Sequence, residues 1–224
     1  MATAAETIKL ALRKLRVVGQ GENPSSAEQA DALVELNHFI REIVENGLSP
    51  PFLDVRVESS IELDTSYPAL RLQCMSGGLT ITAPKGDEVM RPIPDGYRIQ
   101  IVDVAGAFAA SNVTFARNGW KIAGSAANAT LTAGATYFFR ADLGDFKLVA
   151  DLAAGDSLPF STQFDYGMAL MLAKRLEGEY GQPLGPNDAR AAARARVAFY
   201  AHYVKPGEVH YEQAAARLGG CNGA

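Results

Sequence analysis

Hydrophobic positions recur with a helical period at both ends of the chain and with a period of two in its middle. Ile8, Ala11, Leu12 and Leu15 fall three or four residues apart and predict an amphipathic first helix over 3–17. Lys9, Arg13 and Arg16 make a basic stripe beside the apolar one. It reads first as a solvated face and second as a contact with an acidic neighbour. Gly19 and Gly21 end this helix. Ser25 and Glu28 then form a capping box, the hydroxyl accepting from an orphan N–H and the carboxylate reaching back to the cap. In the second helix Glu28, Asp31, Glu35, His38, Glu42 and Glu45 share one face, and Ala30, Leu33, Leu36, Ile40, Ile43 and Val44 cover much of the rest. That spread is too wide for a helix touching one neighbour. "ENGL" is the predicted stop, with Gly47 available for a left-handed conformation, and "SPPF" cannot continue a helix.

From Leu53 to Leu152 the period changes. "LTITAP", "YRIQIVDV", "NVTFARNG", "WKIAG", "ATLTAG", "TYFFRAD" and "DFKLVADL" are short alternating or β-rich runs separated by Gly, Pro, Asn and Asp. They predict a small all-β sandwich or barrel. Its expected core is Tyr97, Ile99, Ile101, Val102, Phe115, Ile122, Leu131, Phe138 and Leu148. Trp120 follows the "NG" turn and is either a lid on that core or an exposed contact residue. Helical spacing returns with Phe164, Met168, Met171, Leu172 and Leu176, and Gly181 terminates that helix. "GPND" opens a last helix rich in alanine, with Arg190, Arg194 and Arg196 long and charged, and "KPG" breaks it at Pro206.

The expected fold class is therefore α+β. Two helical pairs, residues 1–52 and 153–204, make one four-helix domain. The β domain over 53–152 is inserted between them with its ends near one point, and 205–224 is an extended tail.

Composition narrows the function. With 48% hydrophobic and 21% charged residues and a formal net charge of −4, the 224-residue chain has ordinary globular composition and no basic footprint for tight nucleic-acid binding. Cys74 and Cys221 stand far apart and read as unpaired thiols in a reducing compartment. No apolar run reaches the length of a membrane span. "MATAAETIKLALRKL" reads as helix rather than signal peptide.

Candidate chemistry is sparse. The sequence lacks a phosphate loop, a dinucleotide fingerprint and a nucleophile elbow. His38 reads as solvated, and His202 suits the last turn of a helix. His210 sits between Glu208 and Glu212, where a strand would align a metal set but a tail leaves the three solvated. Asp103 and Asp142 precede glycines and read as acceptors for turn N–H groups, with Arg117 and Arg140 as partners at strand ends. Carboxylates are plentiful enough to leave a glycosidase-like pair open. The expectation is a non-enzymatic protein without cofactor or metal, built to assemble.

The helical segments resemble a known family. "ALRKLRVVGQGENPSSAEQADALVELNHFIREIVENGL" resembles the N-terminal helical pair of tailed-phage head-to-tail adaptors, the packaged-DNA stabilisation proteins or tail accessory factors of short-tailed phages. "LPFSTQFDYGMALMLAKRLEGEYGQPLGPNDARAAARAR" is similar to the second pair. Ile43 departs from a tryptophan frequent in the family. The central block, with "DGYRIQIVDVAGAF", "VTFARNG", "IAG" and "FFRADLGDFKLV", looks like a β module of phage adaptor and tail-fibre proteins, projecting outward from the helices. The resemblance implies a ring of identical subunits, a dodecamer, at the neck of the virion and assembled in host cytoplasm. Its partners would be the portal protein above and tail tube, nozzle or fibre proteins below, with DNA passing through without specific binding. On that reading Lys9, Arg13, Arg190 and Arg194 are candidate subunit-interface residues. Val209, His210, Tyr211 and Leu218 are candidate partner contacts of the tail. A second reading is an envelope-glycan-binding or peptidoglycan-degrading virion protein using Trp120, Tyr137 and Phe146 of the β module.

Deletion from Lys205 onward is expected to leave the thermal unfolding midpoint of the purified protein unchanged while weakening its docking to the portal in a co-sedimentation assay.

Overall fold

The first helix, α1 (Ala4–Lys14), begins at a capping box in which Thr3 accepts from the Glu6 N–H and the Glu6 carboxylate accepts from the Thr3 N–H. In the computed structural model, which describes residues 2–48, 50–85 and 93–203, α1 stops three residues short of the expected end. Arg16 there turns left-handed at φ 61°, so Gly19 and Gly21 lie in the following loop rather than at the stop. Helix α2 (Ser26–Glu42) has the expected Ser25–Glu28 box. It runs into a π-helical turn, Ile43–Gly47. Gly47 does not adopt a left-handed conformation. A Cβ at that position would lie 3.1 Å from the Tyr200 hydroxyl, so glycine serves close helix approach instead. Ala30 is exposed and Ala32 fully buried, a rotation of the apolar face relative to the expectation.

Ten strands follow: β1 (Leu53–Val57), β2 (Ile61–Glu62), β3 (Ala69–Cys74), β4 (Thr80–Thr82), β5 (Arg98–Asp103), β6 (Val113–Ala116), β7 (Lys121–Ile122), β8 (Ala129–Leu131), β9 (Ala135–Arg140) and β10 (Asp145–Leu148). The chain then enters a short 3₁₀ turn (Thr162–Phe164), α3 (Asp165–Tyr180) and α4 (Pro186–Tyr203). Gly181 ends α3 left-handed at φ 61°, as expected. The fold class is α+β. The readings for Pro206, Glu208, Val209, His210, Tyr211, Glu212, Leu218 and Cys221 lie outside the described residues.

The strands form two mixed sheets, ordered β1-β3-β5-β9-β10-β7 and β2-β4-β6-β8. From β1 to β9 each successive strand belongs to the other sheet. The β1-β3-β5 and β2-β4-β6 ladders are therefore parallel, as in a coil with two flat sides. Among the described strands, only β9 and β10 are consecutive and paired in one sheet. Asn118 and Gly119 both have positive φ, as an "NG" turn demands, yet they turn a corner from β6 to β7 of the other sheet. The two sheets share a buried cluster including Leu72, Ile81, Ile99, Phe115, Tyr137, Phe139 and Phe146.

The six-stranded sheet is covered on its other face as well. Phe138, expected in the β core, instead joins the helical core, beside Phe160 and Tyr203 at ring-centroid distances of 5.3 and 5.2 Å. Neighbours on a strand point to opposite faces, so Tyr137 and Phe139 enter one core and Phe138 the other. The β block thus does not project free of the helices. Leu148 is 40% exposed and Val102 only partly buried, against expectation. Helical core residues come from both ends of the chain, among them Ile8, Leu12, Leu36, Ile40, Met168, Leu172, Leu176 and Phe199. Gly96 closes the contact from the β side: its φ is +87°, and a Cβ there would meet Tyr203 of α4 at 2.5 Å.

Phe138→Ala is expected to cost about 3–5 kcal/mol. Trp120 fluorescence, reporting the β core, and far-UV circular dichroism, reporting the helices, should shift together in urea. A shift of the helical signal alone would show that the two cores unfold independently.

Candidate functional site

Two fully buried arginines lie between the sheet and the helices. Arg98 on β5 and Arg140 on β9 are 2% and 1% exposed and flank Phe138 on one face, since Arg98 pairs directly with Phe138 across the ladder. The Arg98 guanidinium donates to the carbonyls of Val44 (2.8 Å), Leu48 (3.3 Å) and Pro50. It also stacks over the Phe52 ring at 4.8 Å. Val44 lies in the π turn that ends α2, Leu48 is its C-cap and Pro50 follows two residues later, so the cation caps the negative pole of a helix and the chain just beyond it from a different element. Burial pulls the Arg98 guanidinium down to about 10, which leaves it charged at neutral pH. Arg140 donates to the Leu158 carbonyl (3.1 Å) and makes a two-pronged pair with Asp142 at 3.0 and 2.6 Å. Its hydrogen bonds hold the Asp142 carboxyl below the usual aspartate range. Both points where the chain leaves and rejoins the helices are therefore held by one sheet face. Asn37 of α2 adds a reciprocal pair with the Leu152 backbone at 2.9 and 3.3 Å. The β strand-end partnership expected for Arg140 is present. Arg117 instead donates at 3.5 Å to the Trp120 carbonyl.

The candidate interface residues divide. Lys9 donates to Asn23 Oδ1 (2.5 Å) and Arg13 to the Glu22 carbonyl (3.0 Å), so both hold the 19–24 loop against α1. Arg190 bonds within its own first turn, to Pro186 O and Asn187 Oδ1. Arg194 is exposed and has no hydrogen-bond or ion-pair partner among the described residues. Lys14, which sequence reasoning passed over, links α1 to α4 through Asp188 at 2.9 Å and lies over Tyr166. Two open clefts of about 420 and 410 Å³ flank this basic end of α1, one over Lys9, Arg13 and Tyr166, the other over Arg13, Lys14, Arg16 and Asp188. Sequence reasoning also missed Val34 on α2 and Val197 on α4, large apolar side chains in solvent. Their helical positions, opposite buried Leu36 and Phe199, carried the signal.

Several of the described residues considered for chemistry make contacts within the fold. Asp103 accepts from the Ala107 and Phe108 N–H groups at 2.9 and 3.0 Å, an aspartate-capped turn. His202, near the end of α4, contacts Asp95 at 2.9 Å, while His38 is exposed beside Glu35. The described residues contain no cluster of His, Cys, Asp and Glu suited to a metal ion. Tyr137 and Phe146 are buried in the β core. Trp120 lies edge-on to Phe139 and donates its indole N–H to the Pro84 carbonyl. Trp120 is thus a partly buried lid on the β core.

Because its folded pKa is depressed, the Asp142 carboxylate stabilises the fold above the unfolded aspartate value, and this is lost as pH falls through the lower folded value. Asp142→Asn should cost about 1.5–3 kcal/mol at pH 7, read from urea unfolding. The gap to wild type should narrow below about pH 4 and stay constant between pH 6 and 8.

No protein-family model and no curated protein matches this chain.

Proposed function

We propose that this chain is a head-to-tail adaptor of a tailed phage, a structural subunit of a ring beneath the portal that helps retain packaged DNA and gives the tail its platform. One observation carries the reading. The two segments that resemble the adaptor helical pairs, though separated by the whole β block, close on one hydrophobic core. The Ala4 and Ala5 N–H groups, at the start of the first pair, bond the Asp156 and Ala154 carbonyls that lead into the second. An uninterrupted helical domain would have the same closure, so the β block is an insertion on an adaptor body, with a sandwich-like pair of sheets. Its six-stranded sheet docks on the helices through Arg98, Phe138 and Arg140, and the four-stranded sheet is left on the far side for neck or tail partners. The chain's formal net charge of −4 suits a channel wall that DNA passes without sticking. Portal, tail tube, nozzle or fibre proteins and further copies of the chain are the partners on this reading, and the neck of the virion is its location.

Symmetry-resolved cryo-EM of the phage particle is expected to show a ring of this chain, dodecameric by analogy with the family, between portal and tail. Density at that level that traces to another polypeptide throughout would overturn the proposal.

A further inference from the structure

Helices α2 and α4 each expose a face of the same design with opposite charge. On α2 it is Ala30, Asp31 and Val34, with Val34 56% exposed. On α4 it is Ala193, Arg194 and Val197, with Val197 70% exposed. In both helices the order is alanine, charge, two residues, valine, so the three side chains fall on one face and the charge stands beside the valine. Behind each face the helix is anchored, by Ala32 and Leu36 on α2 and by Ala192 and Phe199 on α4. Each face thus sits on a helix anchored in the core, and the small Ala30 and Ala193, one turn before each valine, leave room for close approach.

We propose that the outer face of α4 in one copy of this chain packs against the outer face of α2 in the next, Val197 beside Val34 and Arg194 opposite Asp31. The choice of a second copy rests on charge. Pairing α4 with α4 across a two-fold axis brings arginine to arginine, and pairing α2 with α2 brings Asp31 to Asp31; like charges facing each other oppose both contacts. Only the α2–α4 pairing is complementary in charge and apolar along the same stripe. Such a contact is heterologous: each copy offers one α2 face and one α4 face, so it repeats head to tail and closes into a ring when the rotation permits. The inference rests on the ring reading above and names the surfaces that would build it.

The test uses the full chain with Cys221 replaced by serine, Cys74 being buried. Under mild oxidation at high protein concentration, a mixture of the Val34→Cys and Val197→Cys variants should give a disulfide-linked heterodimer. The double variant should give a ladder of covalent oligomers on non-reducing gels. Independently, Asp31→Arg should weaken self-association at least tenfold in mass photometry and analytical ultracentrifugation, and adding Arg194→Asp to the same chain should restore it. If wild type forms rings while the 34–197 disulfide fails to form and Asp31→Arg assembles normally, the ring reading stands and this pairing is wrong. Disulfides that form only between like positions, 34 to 34 or 197 to 197, would establish an isologous contact and overturn it. A wild type that stays monomeric at every concentration, with no cross-link, would overturn this pairing, while the ring reading is decided on the particle itself.

Discussion

The guanidinium of Arg98 holds the molecule together at its most demanding point. A helix end leaves carbonyls without intrahelical partners, and here the end of α2 is drawn into a π turn and buried against a sheet. A cation from β5 meets those carbonyls, donating to Val44 and Leu48 and, just beyond the helix, to Pro50. The arrangement is reciprocal: a buried charge carries a large desolvation cost unless it is fully paired, and the negative helix pole with the Phe52 ring supplies that pairing. Arg140 repeats the logic at the other junction with Leu158 and Asp142. The β block is consequently held at both of its ends by charge-assisted hydrogen bonds rather than by a pair of free linkers.

Between the two arginines lies Phe138, and the three together make the sheet two-sided. A strand that is polar on one face can lie at a surface. β9, with "TYFFR" buried along nearly its whole length, must be covered on both faces. One cover is the four-stranded sheet, brought into place by a chain that changes sheet at each strand from β1 to β9. The other is the helical body. The six-stranded sheet is thus the middle layer, between the helices on one side and the four-stranded sheet on the other.

Acidic and basic groups are correspondingly divided by role. Arg98, Arg140, Asp103 and Asp142, with the neutral amide of Asn37, fix turns and junctions of the fold. Lys9 and Arg13 secure a loop, and Arg175 pairs with Glu35 and Glu42 to clamp α3 to α2. Asp31 and Arg194 remain outside these internal networks. Lys9, Arg13 and Arg190 are engaged within the subunit, whereas Arg16 and Arg194 make no side-chain hydrogen bond or ion pair among the described residues.

Much of the local structure was legible in the chain. The Ser25–Glu28 box, the Gly181 stop, the Asp103 turn and the strands from β4 onward follow from interactions between residues close in sequence, which the pattern of residue types encodes directly. The Thr3–Glu6 box and the alternation Leu70, Leu72, Cys74 of β3 were equally available. Other features depend on partners distant in sequence. Whether Phe138 or its neighbours faced the helices, whether the "NG" corner closed a hairpin or changed sheet, and what lies close to Gly47 were decided by what packs opposite each residue. An alternating run specifies two faces without saying what covers either one. An arginine in a strand signals solvent until a helix end is brought to meet it, and that meeting exists only in the folded chain.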